Sequence, residues 1–357
     1  MKNFIRIIFI LGIVLALQVL AADYDHPLYL SVRSLALGNA VISSVDDEQS
    51  LFLNPAGLAQ VRSPKLSLLN LSLEGSHQLV FNSSDAVSVN KDFGIETLNQ
   101  IIGKNEFAKV QLNTTLAVLG FGIGLIADGE AASRLLNRVS PTGELGAVGT
   151  YGVQVGYGLT VAQFRKGRGK VNFGIAGKYL YRVGKIDVPS LSSVLSLDRD
   201  TLLGDIKGVG YGLGLDSGLQ VSYKLNNKFE LLSGAVMSNI GSTTFSNGSP
   251  SLAPYLATGL GLRAKSRELT ATLTYDLQRI TESIDWRKKN HFGLELSLPI
   301  ISFYGGLNGF WLPSYGVALN LALIRLMVAS MAHELGTTIG QNTERRYAAQ
   351  AQIKFEF

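Results

Sequence analysis

The stretch ELTATLTYDLQR, residues 268 to 279, decides the fold. Leu269, Ala271, Leu273, Tyr275 and Leu277 take one set of alternate positions, and Thr270, Thr272, Thr274, Asp276 and Gln278 take the other. Successive side chains of an extended strand point to opposite faces, so one face here is apolar and the other polar. The same rhythm recurs along the chain. Tyr151, Val153, Val155, Tyr157, Leu159 and Val161 oppose Gly152, Gln154, Gly156, Gly158 and Thr160, and Tyr211, Leu213, Leu215, Leu219, Val221 and Tyr223 oppose small or polar residues. At the end of the sequence, Tyr347, Ala349, Ala351, Ile353, Phe355 and Phe357 oppose Gln350, Gln352, Lys354 and Glu356.

Two architectures share that alternation. In a soluble sandwich the apolar face points inward, whereas in an outer-membrane barrel it meets lipid and the polar face lines the lumen. Length separates them: these segments exceed the usual strand mode of about 5 or 6 residues and reach the 9 to 11 or so that a tilted membrane strand needs. Strands are expected near 65–73, 107–118, 120–129, 148–162, 170–184, 208–224, 228–240, 252–264, 267–280, 290–298, 301–311, 314–323, 325–335 and 345–357, fourteen in all. Their connections alternate long and short, with one break at Leu312-Pro313. Short turns on one side and longer loops on the other, with an even strand number, are the habit of outer-membrane barrels.

Composition agrees. Of 357 residues, 17% are charged, against about 25% in soluble domains, and 39 are glycine. Mean hydropathy is +0.21. Yet no uninterrupted apolar segment of about 20 residues, as a spanning helix requires, stands out beyond the N-terminus. Leu116 to Ala127 carries Gly120, Gly122 and Gly124 at alternate positions, and Tyr315 to Ala332 carries Asn320 and Arg325. A central arginine costs a spanning helix about 2.5 to 3.5 kcal/mol. The net charge of +5 comes from scattered basic residues, and the RKGRGK cluster at 165–170 reads as a turn, so nucleic acid is not an expected partner. A mildly cationic surface suits anionic outer-membrane lipids instead.

The first residues, MKNFIRIIFILGIVLALQVLAAD, place Lys2 and Arg6 ahead of an apolar run and small residues at Ala21 and Ala22. This is the layout of a cleaved secretory signal over residues 1–21, and export together with the barrel pattern makes the bacterial outer membrane the expected location. With no cysteine, neither an acylated anchor nor a disulfide framework is available. Residues 22–63 lack the period of two, and the barrel follows over 64–357. Asp46-Asp47-Glu48 precede Gln49 to Leu53 as acids precede a short helix, and Asn54-Pro55 forces extended geometry, because the residue before proline avoids the helical region. Such a segment either hangs outside the barrel or folds back into its lumen. The alternating glycines of GFGIGL at 120–125 and GVGYGLG at 208–214 leave one strand face small, which makes room for it.

The chain SVRSLALGNAVISSVDDEQSLFLNPAGLA resembles the N-terminal region of the FadL-like superfamily of outer-membrane transporters, which includes PorV-like barrels. The matching positions are Arg33, Leu35, Gly38, Ala40, Asp46, Asp47, Asn54, Pro55, Ala56, Gly57 and Leu58. HELGTTIGQNTERRYAAQAQIKFEF is similar to the ending of PorV-like relatives. The resemblance implies an all-β, fourteen-stranded antiparallel transmembrane barrel whose N-terminal segment forms a hatch in the lumen. It implies passive uptake of hydrophobic, fatty-acid-like small molecules. The alternative is a PorV-like barrel that docks proteins on its outside loops. Arg33, Gly38, Asp46 and Asp47 fall in the hatch, and Asn54, Pro55, Ala56 and Gly57 form the turn by which it leaves the lumen. The aromatic ending at Phe357 resembles the signal read by barrel-assembly machinery.

Catalysis is not expected. The four histidines, His26, His77, His291 and His333, lie in no nucleophile or metalloprotease motif, and His333 and Glu334 point to opposite faces of a strand. No cofactor and no metal cluster is anticipated.

Overall fold

The structure, a computed structural model, describes residues 28–81, 105–135, 143–187, 208–336 and 338–357; the expected leader lies outside them. Fourteen strands follow the N-terminal segment: β1 (Lys65–Ser76), β2 (Asn105–Val118), β3 (Phe121–Leu135), β4 (Gly143–Phe164), β5 (Gly169–Asp187), β6 (Gly210–Lys224) and β7 (Phe229–Ser238), then β8 (Tyr255–Lys265), β9 (Thr270–Leu277), β10 (Asn290–Ser297), β11 (Ile301–Asn308), β12 (Leu312–Leu321), β13 (Ile324–Glu334) and β14 (Thr343–Glu356). Each pairs antiparallel with its sequence neighbours, and β1 pairs with β14, so the sheet closes into a barrel. Closure runs from Lys65 opposite Glu356 to Ser76 opposite Arg346. In hydrocarbon an unpaired backbone group costs several kcal/mol, and a ring of strands leaves no open edge.

The two faces divide as the period of two requires. Leu273 of β9 is 53% exposed, while Thr272, Thr274 and Asp276 on the other face of that strand are buried; on β6 Leu213 is 71% exposed. The apolar face therefore looks outward, and a closed apolar exterior is a surface for lipid. Among the described residues no helix is long and apolar enough to cross a membrane. A sandwich, whose apolar faces would be covered, does not fit.

Tight turns lie at one end, with the start of β1 and the end of β14. Leu119 and Gly120 (φ 49° and 84°) make the first as a two-residue turn with positive φ at both positions, the hairpin type whose twist matches the strands. In the turn after β6, the Asn226 side chain accepts from the backbone N–H groups of Lys228 and Phe229, both at 2.8 Å. One expected break in the loop pattern is displaced. The short outer connection is not Leu312-Pro313 but Gly309 to Trp311, because Gly309 and Phe310 (φ 63° and 69°) turn the chain there; Leu312 and Pro313 already pair with Asn308 and Leu307.

Residues 29–61 run inside the ring. Helix α1 (Val32–Ala36) is capped by the Ser31 hydroxyl, which accepts from Ser34 N, and a second short helix, α2 (Ser50–Leu53), leads into a 3-10 helix over Pro55–Gln60. The buried apolar residues Leu30, Val32, Leu35, Leu37 and Val41 form one cluster with Tyr304, Ala318, Met327 and Met331 of the wall. The connection between β7 and β8 also turns inward: Thr243 bridges Leu252, and Phe245 and Leu252 are buried against Tyr29, Ile126 and Leu180.

Candidate functional site

The lumen is the candidate site, and glycines decide how the segment fits it. A Cβ at Gly174 would lie 2.2 Å from the Pro55 carbonyl carbon, at Gly158 2.7 Å from the Pro55 oxygen, at Gly306 2.3 Å from the Leu37 carbonyl carbon, and at Gly234 2.7 Å from the Ile42 oxygen. These glycines lie on β5, β4, β11 and β7, so backbone meets backbone on opposite sides of the ring. Gly122 and Gly124 face Leu58, Leu51 and Phe52. Gly212 and Gly214 face Thr243, Thr244 and Phe245 of the inward loop. The small strand faces are filled by other parts of the same chain.

A segment with so little regular structure needs partners for its backbone polar groups, and the wall supplies them. Asp276 accepts from Val41 N at 2.7 Å and Ile42 N at 2.9 Å. Gln111 accepts from Leu30 N at 3.0 Å and donates to Leu28 O at 2.7 Å. Gln154 donates to Leu51 O, Gln220 to Val45 O, Thr274 to Ala40 O, Gln278 to Asn39 O and Arg263 to Ser44 O. None of these wall residues stands out in the sequence beyond being the polar member of an alternating pair, and their partners lie up to 239 positions away.

The residues expected in the segment occupy distinct places in it. Arg33 is buried and donates through Nε, at 3.1 Å, and through Nη2 to Glu295 Oε2. Gly38 (φ 61°) turns the chain where a Cβ would meet the Leu307 backbone at 2.7 Å, and its carbonyl accepts from His291 Nδ1 at 2.8 Å. Asp46 pairs with Arg263 Nη1 at 2.8 Å. Its carboxyl is held below the usual range by Arg263, helped by Arg33 and Lys65, against the upward push of burial. Asp47 accepts from Gln49 N at 3.0 Å, and its carboxyl is pushed up to about 6, first by burial and then by the neighbouring Glu48.

Asn54 is fully buried and extended (φ −157°, ψ 100°). Its Nδ2 donates to Ile42 O at 2.9 Å and reaches the wall carbonyls of Leu219 and Ala235, each at 3.4 Å, while its Oδ1 accepts from Ala56 N at 3.2 Å. Pro55, Ala56 and Gly57 open the 3-10 helix; a Cβ at Gly57 would lie 2.5 Å from Val45 O and from Ser50 Oγ. The NPAG turn thus binds two parts of the segment together and to β6 and β7.

Towards the end of the long connections the inner wall is ionic. Lys109 lies 3.3 Å from Asp128 and 3.2 Å from Glu130, and Arg346 lies 3.3 Å from Glu74 and 2.8 Å from Glu344, its guanidinium stacked 3.6 Å over the Phe107 ring. Removing one partner of such a buried pair costs about 3 to 5 kcal/mol. The segment also joins an apolar cluster: Tyr29 stacks on Phe52 at 4.4 Å between ring centres, with Leu28, Ile126, Leu180, Phe245 and Leu252 around them. Arg182 closes one side, over the Phe245 ring at 4.9 Å, donating to Thr150 Oγ1 and Pro250 O.

No family model matches the sequence, and no curated protein matches it either. Solved structures do match in shape. The toluene transporter TbuX of Ralstonia pickettii superposes with a TM-score of 0.51 at 12% identity, over 93% of this chain and 99% of that one. A deletion mutant of the monoaromatic hydrocarbon channel TodX gives 0.51 at 11% identity over 93% and 99%, and the monoaromatic hydrocarbon channel CymD gives 0.50 at 10% over 93% and 98%. At such identities the likeness is one of fold. The chain therefore shares the closed antiparallel barrel fold of these solved hydrocarbon transporters and channels, with fourteen strands of its own.

Proposed function

We infer that the protein lets hydrophobic small molecules cross the outer membrane passively, with the N-terminal segment of residues 22–63 acting as a hatch in the lumen. The observation that carries this reading is the filled barrel. Its own N-terminal segment occupies the lumen, held to the wall by side-chain hydrogen bonds, and Tyr29 and Phe52 of that segment pack with Ile126, Leu180, Phe245 and Leu252 as an apolar cluster where it meets the inward loop. Once the hatch shifts, an apolar ligand that takes its place against these side chains gains roughly 25 cal/mol for each Å² it buries. Toluene and monoaromatic hydrocarbons are named for the barrels of the same fold. Fatty-acid-like chains suit the same apolar lining. No energy source is required for movement down a gradient.

Barrel assembly is read from Phe357, which is 75% exposed, stacks near Phe355 and donates its N–H to Pro64 O. Lipid extraction of the purified protein, followed by mass spectrometry, tests the transport reading. A single apolar class at near one-to-one ratio supports it; no apolar ligand, together with capture of a stoichiometric protein on the outer loops, replaces it with protein docking.

A further inference from the structure

Outside the lumen, one sector of the lipid-facing wall combines features that transport does not use. Tyr275 of β9 and Phe292 of β10 point outward with ring centres 4.9 Å apart; Phe310 meets Phe292 edge-on at 5.5 Å, and Trp286 meets Phe310 edge-on at 5.6 Å. The rings form a stripe that climbs the exterior to the end of the long connections, which faces away from the cell in barrels of this kind. Trp286 and Trp311 stand 64% and 70% exposed at its top. At its foot, Tyr275 and Leu277 border a lipid-facing hollow of about 350 Å³ floored by Ser233, Ala235 and Thr258.

Above the stripe the chain reads RITESIDWRKK, residues 279–289, with four cations against two carboxylates. Glu282 pairs with Arg279, and Asp285 with Arg287. Lys288 Nζ donates to Gly336 O, and Lys289 Nζ donates to Ile280 O and Glu282 O, which fixes both ammonium groups at the rim. The turn at Gly309 packs on Arg287 and Lys288, which holds the basic segment against the rim.

We propose that this sector binds an anionic lipid of the outward-facing leaflet, its headgroup phosphomonoesters on Arg287, Lys288 and Lys289 and an acyl chain along the aromatic stripe into the hollow. Exposed indoles at a membrane interface anchor the boundary between hydrocarbon and headgroup, and surplus cations beside them attract anionic headgroups. The site is independent of the hatch and the lumen.

The two tryptophans of the chain both lie in this sector, so intrinsic fluorescence reports on it alone. Bisphosphorylated lipid A is titrated into the full-length protein in neutral detergent. The expected result is a saturable change in emission, with the half-saturating concentration raised about tenfold or more in the triple variant Arg287→Gln, Lys288→Gln, Lys289→Gln. The same change at Arg165, Lys166 and Arg168, the basic turn at the opposite end, leaves the titration as it was. Equal titrations of wild type and the 287–289 variant overturn the proposal, as does an equal response to phosphatidylcholine, which points to an aromatic belt without headgroup selection. A response to inorganic phosphate at matched concentration overturns it in favour of a free-anion site. If the triple variant does not fold, wild-type titrations with lipid A and with its enzymatically dephosphorylated form decide: a preserved response to the latter sinks the idea.

Discussion

Asn54 shows how much one side chain holds. It satisfies Ile42 O and Ala56 N at once and touches two wall carbonyls from a site without solvent. Asn54→Ala strands those buried groups, each worth about 1 to 3 kcal/mol, and opens a hole beside Gly218. The barrel strands do not depend on this residue for pairing, so the expected phenotype is a folded barrel, heat-modifiable on gels as before, whose segment opens to protease at lower temperature. Asp47 gives a pH test. Its carboxyl goes from an ordinary 3.8 to about 6 in the folded protein, so the neutral form is favoured when the segment is seated. That contribution is complete below pH 4 and is lost as pH rises to 6, where Asp47 ionises even in place. Protease resistance of the segment should therefore fall between pH 4 and 6 in the wild type and change less in Asp47→Asn. An unchanged slope in the variant assigns the effect to another group.

Among the elements, the strands were legible and the contacts between them were not. Period two is a local property: the position of Leu273 against Thr272 and Thr274 fixes which face meets lipid, and each of the fourteen expected segments overlaps a strand of the barrel. The alternating glycines likewise signalled an occupied lumen. What stayed hidden depends on residues distant in sequence. Nothing near Asp276 reveals that it holds the Val41 and Ile42 amides, and nothing in 239–254 reveals that Phe245 and Leu252 turn inward, since this stretch reads as one more loop. The expected turn at Leu312-Pro313 was displaced because proline suits the first positions of a strand as readily as a turn, while the φ values of Gly309 and Phe310 set the real bend. Strand β5 supplies a paired test of the packing. Gly174 faces Pro55 with no space for a methyl group, whereas Gly177, three residues on, faces outward with nothing near it. Gly174→Ala should push the segment off the wall and raise ion conductance in planar bilayers; Gly177→Ala should leave the closed level unchanged.

The molecule as a whole is a ring and a filling with different sources of stability. The ring is held by backbone ladders that pass from strand to strand and close through β1 and β14, and its outer face is stabilised by lipid; neither requires the segment. The filling owes its place to side chains of the ring, because its own helices are of four to six residues and cannot stand alone. Deleting residues 24–58 therefore removes the filling without removing a ladder. The wall groups left behind, among them Gln111, Gln220, Arg263 and Asp276, are polar and find water in the emptied lumen, so the cost to the ring is small beside that of an apolar core laid open. The shortened protein should run as a folded, heat-modifiable barrel, and liposomes containing it should swell in isosmotic sugar where those with the full-length chain do not. Equal swelling rates would mean that the segment does not close the pore. An unfolded product would mean that the ring needs its filling, and the separation of the two argued here would fail.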